Sequence, residues 1–140
     1  MVGLKKWLVT MLVVAPMAAL AGAPGVTWEQ TLAAAKRRAQ AEHKVILLDL
    51  WAEWCGPCQG LKRNVFPTPT AQAALKGVVP LEAMVETVDG KPMLEGVALA
   101  KQFGLRAYPS LFILDAQGKV LRSHVGYLTP KELELFIHGA

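Results

Sequence analysis

The only two cysteines of this 140-residue chain, Cys55 and Cys58, stand two residues apart in the stretch WAEWCGPC. Two thiols at that spacing offer four kinds of chemistry: a structural clip, half of a zinc site, a soft two-sulfur seat for copper(I), or a dithiol that cycles with its disulfide. A disulfide stabilises chiefly by tying distant segments together, and a loop this short constrains almost nothing. Tetrahedral zinc takes four ligands, whereas the chain adds only His43, His124 and His138, with no His-x3-His spacing and no second Cys-x-x-Cys. Copper(I) needs just two soft ligands and stays open, although no Met-rich or His-rich stretch accompanies Cys55. Redox exchange is the chemistry that the surrounding elements favour.

Those elements begin with KVILLDL, residues 44–50, a continuous run of branched apolar residues that predicts a strand buried on both faces. After Cys58, the sequence QGLKRNVF spaces Leu61, Val65 and Phe66 as one face of a helix beginning near Cys55. Cys55 then caps a helix amino terminus, where unpaired N–H groups and the positive end of the dipole favour a thiolate nucleophile. Cys58, one turn deeper, is shielded. Two Cα atoms three residues apart in a helical turn lie roughly 5 Å from each other, within disulfide range, so the dithiol can close without moving the backbone. Asp49 interrupts the strand six residues before Cys55, and a charge in a buried strand is costly unless it works or is paired.

The rest of the chain supplies a regular order of elements. A helix over 27–44 is expected to open with the capping box Thr27-x-x-Gln30. Pro67 stops the cysteine helix, and Thr68 with Pro69 opens a short one through Lys76. Residues 81–88 form a second strand; 89–92 turn into a helix over 93–103 that Gly104 closes. Residues 111–114 and 119–125 form a hairpin across 115–118, and Thr129-Pro130-Lys131-Glu132 is a capping box for the last helix.

The first 25 residues join a basic head, Lys5 and Lys6, to an apolar run from Trp7 to Leu20 and then small residues, the layout of an export signal. The run is shorter than the ~20 residues a spanning helix needs, and Pro16 interrupts it. Cleavage after Ala21 is expected, leaving residues 22–140 as one soluble domain in the periplasm or outside the cell. Without Lys5 and Lys6 the charge is 13 Lys plus Arg against 11 Asp plus Glu, too even for a nucleic-acid surface. The histidines and the Lys36-Arg37-Arg38 cluster are expected to be ordinary surface groups, and a monomer is expected.

The order α-β-α-α-β-α-β-β-α with a thiol pair after the first strand resembles the thioredoxin superfamily. "LLDLWAEWCGPC" matches that family's active-site strand and loop, and "AYPS", residues 107–110, falls at its cis-proline segment; the resemblance covers about residues 28–138. It implies an α/β thioredoxin fold, a central mixed β-sheet flanked by helices, acting without a cofactor or metal. The exported leader, "VFPTPTAQAAL" and "FILDAQGKVLRSHVGY" are similar to periplasmic members, notably the carboxy-terminal domain of the DsbD thiol-disulfide interchange protein. Two departures stand out: Arg63 occupies the place of the family's helix-kinking proline, and the lysine beside the buried acid would fall near Val85 or Glu86.

What the resemblance implies for the site is specific. Cys55 and Cys58 form the catalytic redox disulfide, and Asp49 lies beneath Cys58 to help move its proton. Trp54, beside the nucleophile, either contacts substrate or packs the loop, Gly56 and Pro57 shape the turn and tune its potential, and Trp51 packs behind the loop. A cis Tyr108–Pro109 bond lies against Cys55 with the Tyr108 backbone free to pair with an extended substrate strand, and Gly126 lets that strand approach. Gly-Pro between the cysteines matches the reductant thioredoxin and not the oxidant DsbA, so reduction is the expected direction. Implied partners are a membrane thiol transporter as electron donor and periplasmic disulfide proteins, cytochrome c maturation clients among them. Disulfide oxidase or isomerase activity and copper(I) carriage on the same fold are the alternatives.

Overall fold

The structure, a computed structural model, describes residues 25–139. The expected leader and its cleavage site lie outside the described residues. In chain order the elements are α1 (Leu32–Glu42), β1 (Ile46–Ala52), α2 (Gly56–Gly60) running on as a π-helical turn (Leu61–Val65), α3 (Pro69–Leu75), β2 (Val79–Glu86), α4 (Leu94–Phe103), β3 (Ser110–Leu114), β4 (Val120–Val125) and α5 (Pro130–His138). The strands form one mixed sheet in the order β2-β1-β3-β4, with β1 parallel to β2 and antiparallel to β3. Among the described residues, no helix is long and apolar enough to cross a membrane.

Alternation along the central strand divides the interior into two layers. Ile46, Leu48 and Leu50 join Leu81, Leu99 and Leu114 in one, on the α1 and α4 side. Leu47 points the other way and meets Leu61, Val65, Leu75, Ile113 and Leu133 beneath the cysteine helix, α3 and α5. Because both faces are covered, β1 is buried at every position but Trp51. Asp49 belongs to the same alternating set as Leu47 and so lies on the cysteine-helix side of the sheet.

The first helix departs from its sequence expectation. It begins at Leu32 with Thr31 as cap, whose hydroxyl accepts from the Ala34 N–H at 3.2 Å, and the Thr27 capping box does not form. Sheet pairing wins there: the Glu29 N–H donates to the Pro80 carbonyl at 2.8 Å, the Glu82 N–H donates to the Glu29 carbonyl at 3.1 Å, and the Gln30 amide reaches Glu82. Two ladder bonds to a buried strand outweigh one exposed cap. The Leu32 N–H is satisfied from across the fold by the Glu95 carboxylate at 2.8 Å. The last helix opens with the capping box its sequence predicts, Thr129 with Glu132.

Helix α4 crosses β2 at very short range because Gly96 has no side chain. A Cβ there would lie 1.9 Å from the Met84 carbonyl oxygen and 2.7 Å from the Val85 Cα, both backbone atoms that cannot swing aside. Gly96→Ala is therefore expected to cost about 2–3 kcal/mol by forcing helix and strand apart. A lowered urea midpoint at unchanged slope is the measurement; an unchanged midpoint would mean that α4 moves freely on the sheet.

Candidate active site

Strand β1 ends at the reactive loop. The Cys55 N–H donates to the Ala52 carbonyl at 3.1 Å, and Cys55 then serves as the N-cap of α2, its sulfur accepting from the Cys58 N–H at 3.3 Å. Pro57 stands in the first helical turn, where its missing N–H costs nothing. Gly56 opens the helix, with open space where a side chain would be. Cys55 and Cys58 are joined as a disulfide with their Cα atoms 5.3 Å apart. Cys58 is wholly buried, while 3% of Cys55 remains exposed. That difference decides access, because Cys55 and not Cys58 lines an open groove of about 530 Å³.

Aromatic rings wall the groove. Trp54 is 54% exposed and stands edge-on to Tyr108, ring centroids 5.5 Å apart, with its indole N–H held by the Glu86 carboxylate at 2.8 Å. Burial, and then the charge of Glu86, raises the pKa of the Tyr108 phenol, which stays neutral. The Tyr108–Pro109 peptide bond is cis. Gly126, at φ 107°, donates its N–H to the Pro109 carbonyl at 2.9 Å, and nothing lies within 4 Å of where its Cβ would be. Thus Trp54, Pro57 and Tyr108 line the groove together with Cys55, and Gly126 is tied to the adjoining proline. Glu53 is exposed, and its carboxylate accepts from the Val88 N–H at 2.7 Å.

Asp49 is completely buried, and neither carboxylate oxygen has a hydrogen-bond partner. Desolvation is the main cause that pushes its pKa up from 3.8 to about 7; Lys62 pulls the other way and Glu82 adds to the rise. Register places Glu82 directly beside Asp49 on the neighbouring strand. The ammonium of Lys62 pairs with Glu82 and lies 4.0 Å from the centroid of the Trp51 ring. Trp51 does pack behind the loop, against Ala52, Cys55 and Cys58, with its indole N–H buried and unpartnered.

Lys62 and Glu82 are the residues that sequence reasoning missed. The cation beside the buried acid comes neither from position 85 nor from 86 but from the cysteine helix itself, four residues after Cys58. That spacing, one turn on along the same helix face, is the signal that points to it. The helix widens here: the Phe66 N–H bonds to the Leu61 carbonyl at 2.9 Å, a five-residue step, in the segment where Arg63 replaces the expected kinking proline.

Lys62→Met removes the positive charge that opposes the rise of the Asp49 pKa and leaves the Glu82 charge without its cation, so the Asp49 carboxyl should ionise at higher pH by about one unit or more. Carbon-13 chemical shifts of the Asp49 carboxyl across a pH series provide the readout. A midpoint that stays in place would make Lys62 a packing residue for Trp51 alone.

A cysteine pair joined as a disulfide at a helix amino terminus, on the carboxyl end of a central strand and beside an aromatic groove, defines a thiol-disulfide oxidoreductase of the thioredoxin fold. The chain belongs to the thioredoxin-like domain family, whose description it matches over residues 32–139. It is 38% identical over 80 residues to the DsbD thiol:disulfide interchange protein of Cronobacter sakazakii, a match covering 57% of this chain and 13% of that protein. The match therefore spans a small part of that relative's length. The oxidised carboxy-terminal domain of Neisseria meningitidis DsbD shares the fold at TM-score 0.66 and 23% identity, over 81% of this chain and 98% of that domain. A Bacteroides thetaiotaomicron protein provisionally called a disulphide-isomerase is 31% identical at TM-score 0.62, over 85% of this chain and 96% of its own.

Proposed function

We propose that this protein is an exported reductase of protein disulfides. The observation that carries the reading is the difference in access within a Cys-Gly-Pro-Cys pair: Cys55 lines an open groove, and Cys58 is enclosed. In the dithiol form, the Cys55 thiolate attacks one sulfur of a substrate disulfide. The substrate S–S bond breaks, its other sulfur leaves as a thiolate, and a mixed disulfide forms. Cys58 then gives its proton to Asp49, attacks the Cys55 sulfur and expels the second substrate thiolate. Two electrons pass to the substrate, and the protein is left as its disulfide.

Asp49 suits the part of proton acceptor, since a carboxyl that titrates near 7 exchanges protons readily at neutral pH. Trp54 and Tyr108 offer apolar surface to the incoming chain, Gly56 and Pro57 hold the loop in shape, and Gly126 leaves room beside Pro109. Export is supported by the leader-like residues 1–21 and by similarity to DsbD. Regeneration falls to a membrane thiol transporter, and the clients are periplasmic disulfide proteins, including those of cytochrome c maturation.

Insulin reduction with dithiothreitol as donor tests the activity. Wild type should accelerate it and the Cys55→Ser/Cys58→Ser variant should not. Stoichiometric, chelator-resistant copper(I) binding without reductase activity would favour the carrier reading instead. Direction is read in cells: the cysteines should be mostly dithiol when the membrane donor is present and become disulfide when it is deleted. Full oxidation in both backgrounds would favour an oxidase or isomerase.

A further inference from the structure

Of the residues lining the groove at Cys55, Arg106 alone is charged. It precedes Ala107 and Tyr108, is exposed, and forms no ion pair with any carboxylate among the described residues. It also lines a second groove, of about 430 Å³, together with Phe103, Phe112 and Val125. Two carboxylates lie near Trp54 outside that lining: Glu86 accepts from the indole N–H, and Glu53 accepts from the Val88 N–H. Arg106 is thus the one charge on the groove lining itself, with the Glu86 carboxylate close to Trp54 and Tyr108.

We propose that Arg106 is a specificity-determining residue that selects disulfide-bearing polypeptides with a carboxylate side chain close to the reacting sulfur, and orients them along the groove with that side toward Arg106 and away from Glu86. This rests on the reductase reading above. A guanidinium presents a planar fork of donors that matches a carboxylate in two parallel hydrogen bonds, which makes an unpartnered arginine beside a binding groove a better anchor for an acid than for any other side chain. An extended chain advances about 3.3 Å per residue, so an acid within three residues of the substrate cysteine lies within roughly 10 Å of the exchanging sulfurs. Arg106 lines both grooves, so it is within reach of a chain segment that lies in either. The site is open to solvent, so the selection is modest, falls with salt, and acts mainly on the encounter rate.

The chemistry is unchanged. Cys55 attacks the peptide sulfur, the peptide S–S bond breaks, and the departing thiolate takes up a proton from water.

The test uses short peptides with a central cysteine activated as its 2-pyridyl disulfide, carrying Glu, Gln or Lys one to three residues away, and the reduced full-length protein in stopped flow. For wild type the Glu peptide should react about three- to fivefold faster than the Gln peptide at its best position, and the Lys peptide slowest. The readout is the Glu-to-Gln ratio within each variant. It should fall to about one in Arg106→Gln, invert in Arg106→Glu, persist in Arg106→Lys, and shrink at high salt. Equal rates for wild type, or a ratio that survives Arg106→Gln, would overturn the assignment. The neutral probe 2-hydroxyethyl disulfide separates the two claims: its reduction without discrimination among peptides removes the role of Arg106 alone, whereas no exchange with any probe removes the reductase reading and this inference with it.

Discussion

Cys58→Ser should turn the protein into a trap. Cys55 keeps its place at the helix amino terminus and its opening to the groove, so attack on a client disulfide still occurs; what disappears is the second sulfur, 5.3 Å away between Cα atoms, that breaks the mixed disulfide. An intramolecular thiol acts at an effective concentration far above any free thiol in solution, so turnover should fall by about a hundredfold or more. Expressed with its leader in an envelope-bearing host, the variant should accumulate adducts that run at higher mass on non-reducing gels and vanish with reductant. Mass spectrometry of those adducts identifies the clients. Cys55→Ser should accumulate few or none, because the remaining sulfur is fully buried. Adducts formed mainly through Cys58 would reverse the two roles.

Asp49→Asn should make the protein more stable and slower at once. The native carboxyl titrates near 7 and an unfolded one near 3.8, so between those values the folded state holds a proton that the unfolded state has lost. Stability therefore declines as pH rises through this window, and the penalty is complete above pH 7. Removing the charge should yield up to about 4 kcal/mol at pH 8 but under about 1 kcal/mol at pH 4. The amide inherits the same lack of hydrogen-bond partners, so the difference between the two pH values is the telling quantity. Urea melts at both supply it. Disulfide exchange at pH 7 should slow by about tenfold or more, through loss of the acceptor for the Cys58 proton. An equal stability change at both pH values would show that the Asp49 carboxyl has the same pKa in the folded chain as in the unfolded one, and an unchanged exchange rate would leave it a structural residue.

The thiol pair, the strand that delivers it and the helix that follows were legible because each rests on local physics. Branched residues without a polar break from Val45 to Leu48 make a covered strand, and a proline just inside a helix start makes a cap of Cys55. The helix over 27–31 failed for the opposite reason. Its capping box is a good local signal, but Glu29 and Gln30 find partners on β2, about fifty residues later, and no window of sequence contains both.

The sequence by itself determined what chemistry is available: two lone thiols at disulfide spacing, a helix start that favours the thiolate, and an acid where a strand should be apolar. Only the tertiary structure decided how that chemistry is governed. The Asp49 pKa depends on complete burial, on Glu82 one strand across, and on a lysine that the widened turn of the cysteine helix carries toward them. Access depends on Trp54 and Tyr108, more than fifty residues apart, closing around Cys55 while Cys58 is enclosed. Bond-forming capacity is a property of residue type and near neighbours; desolvation, charge coupling and access are properties of everything within several ångströms in space, and the fold alone fixes which residues those are.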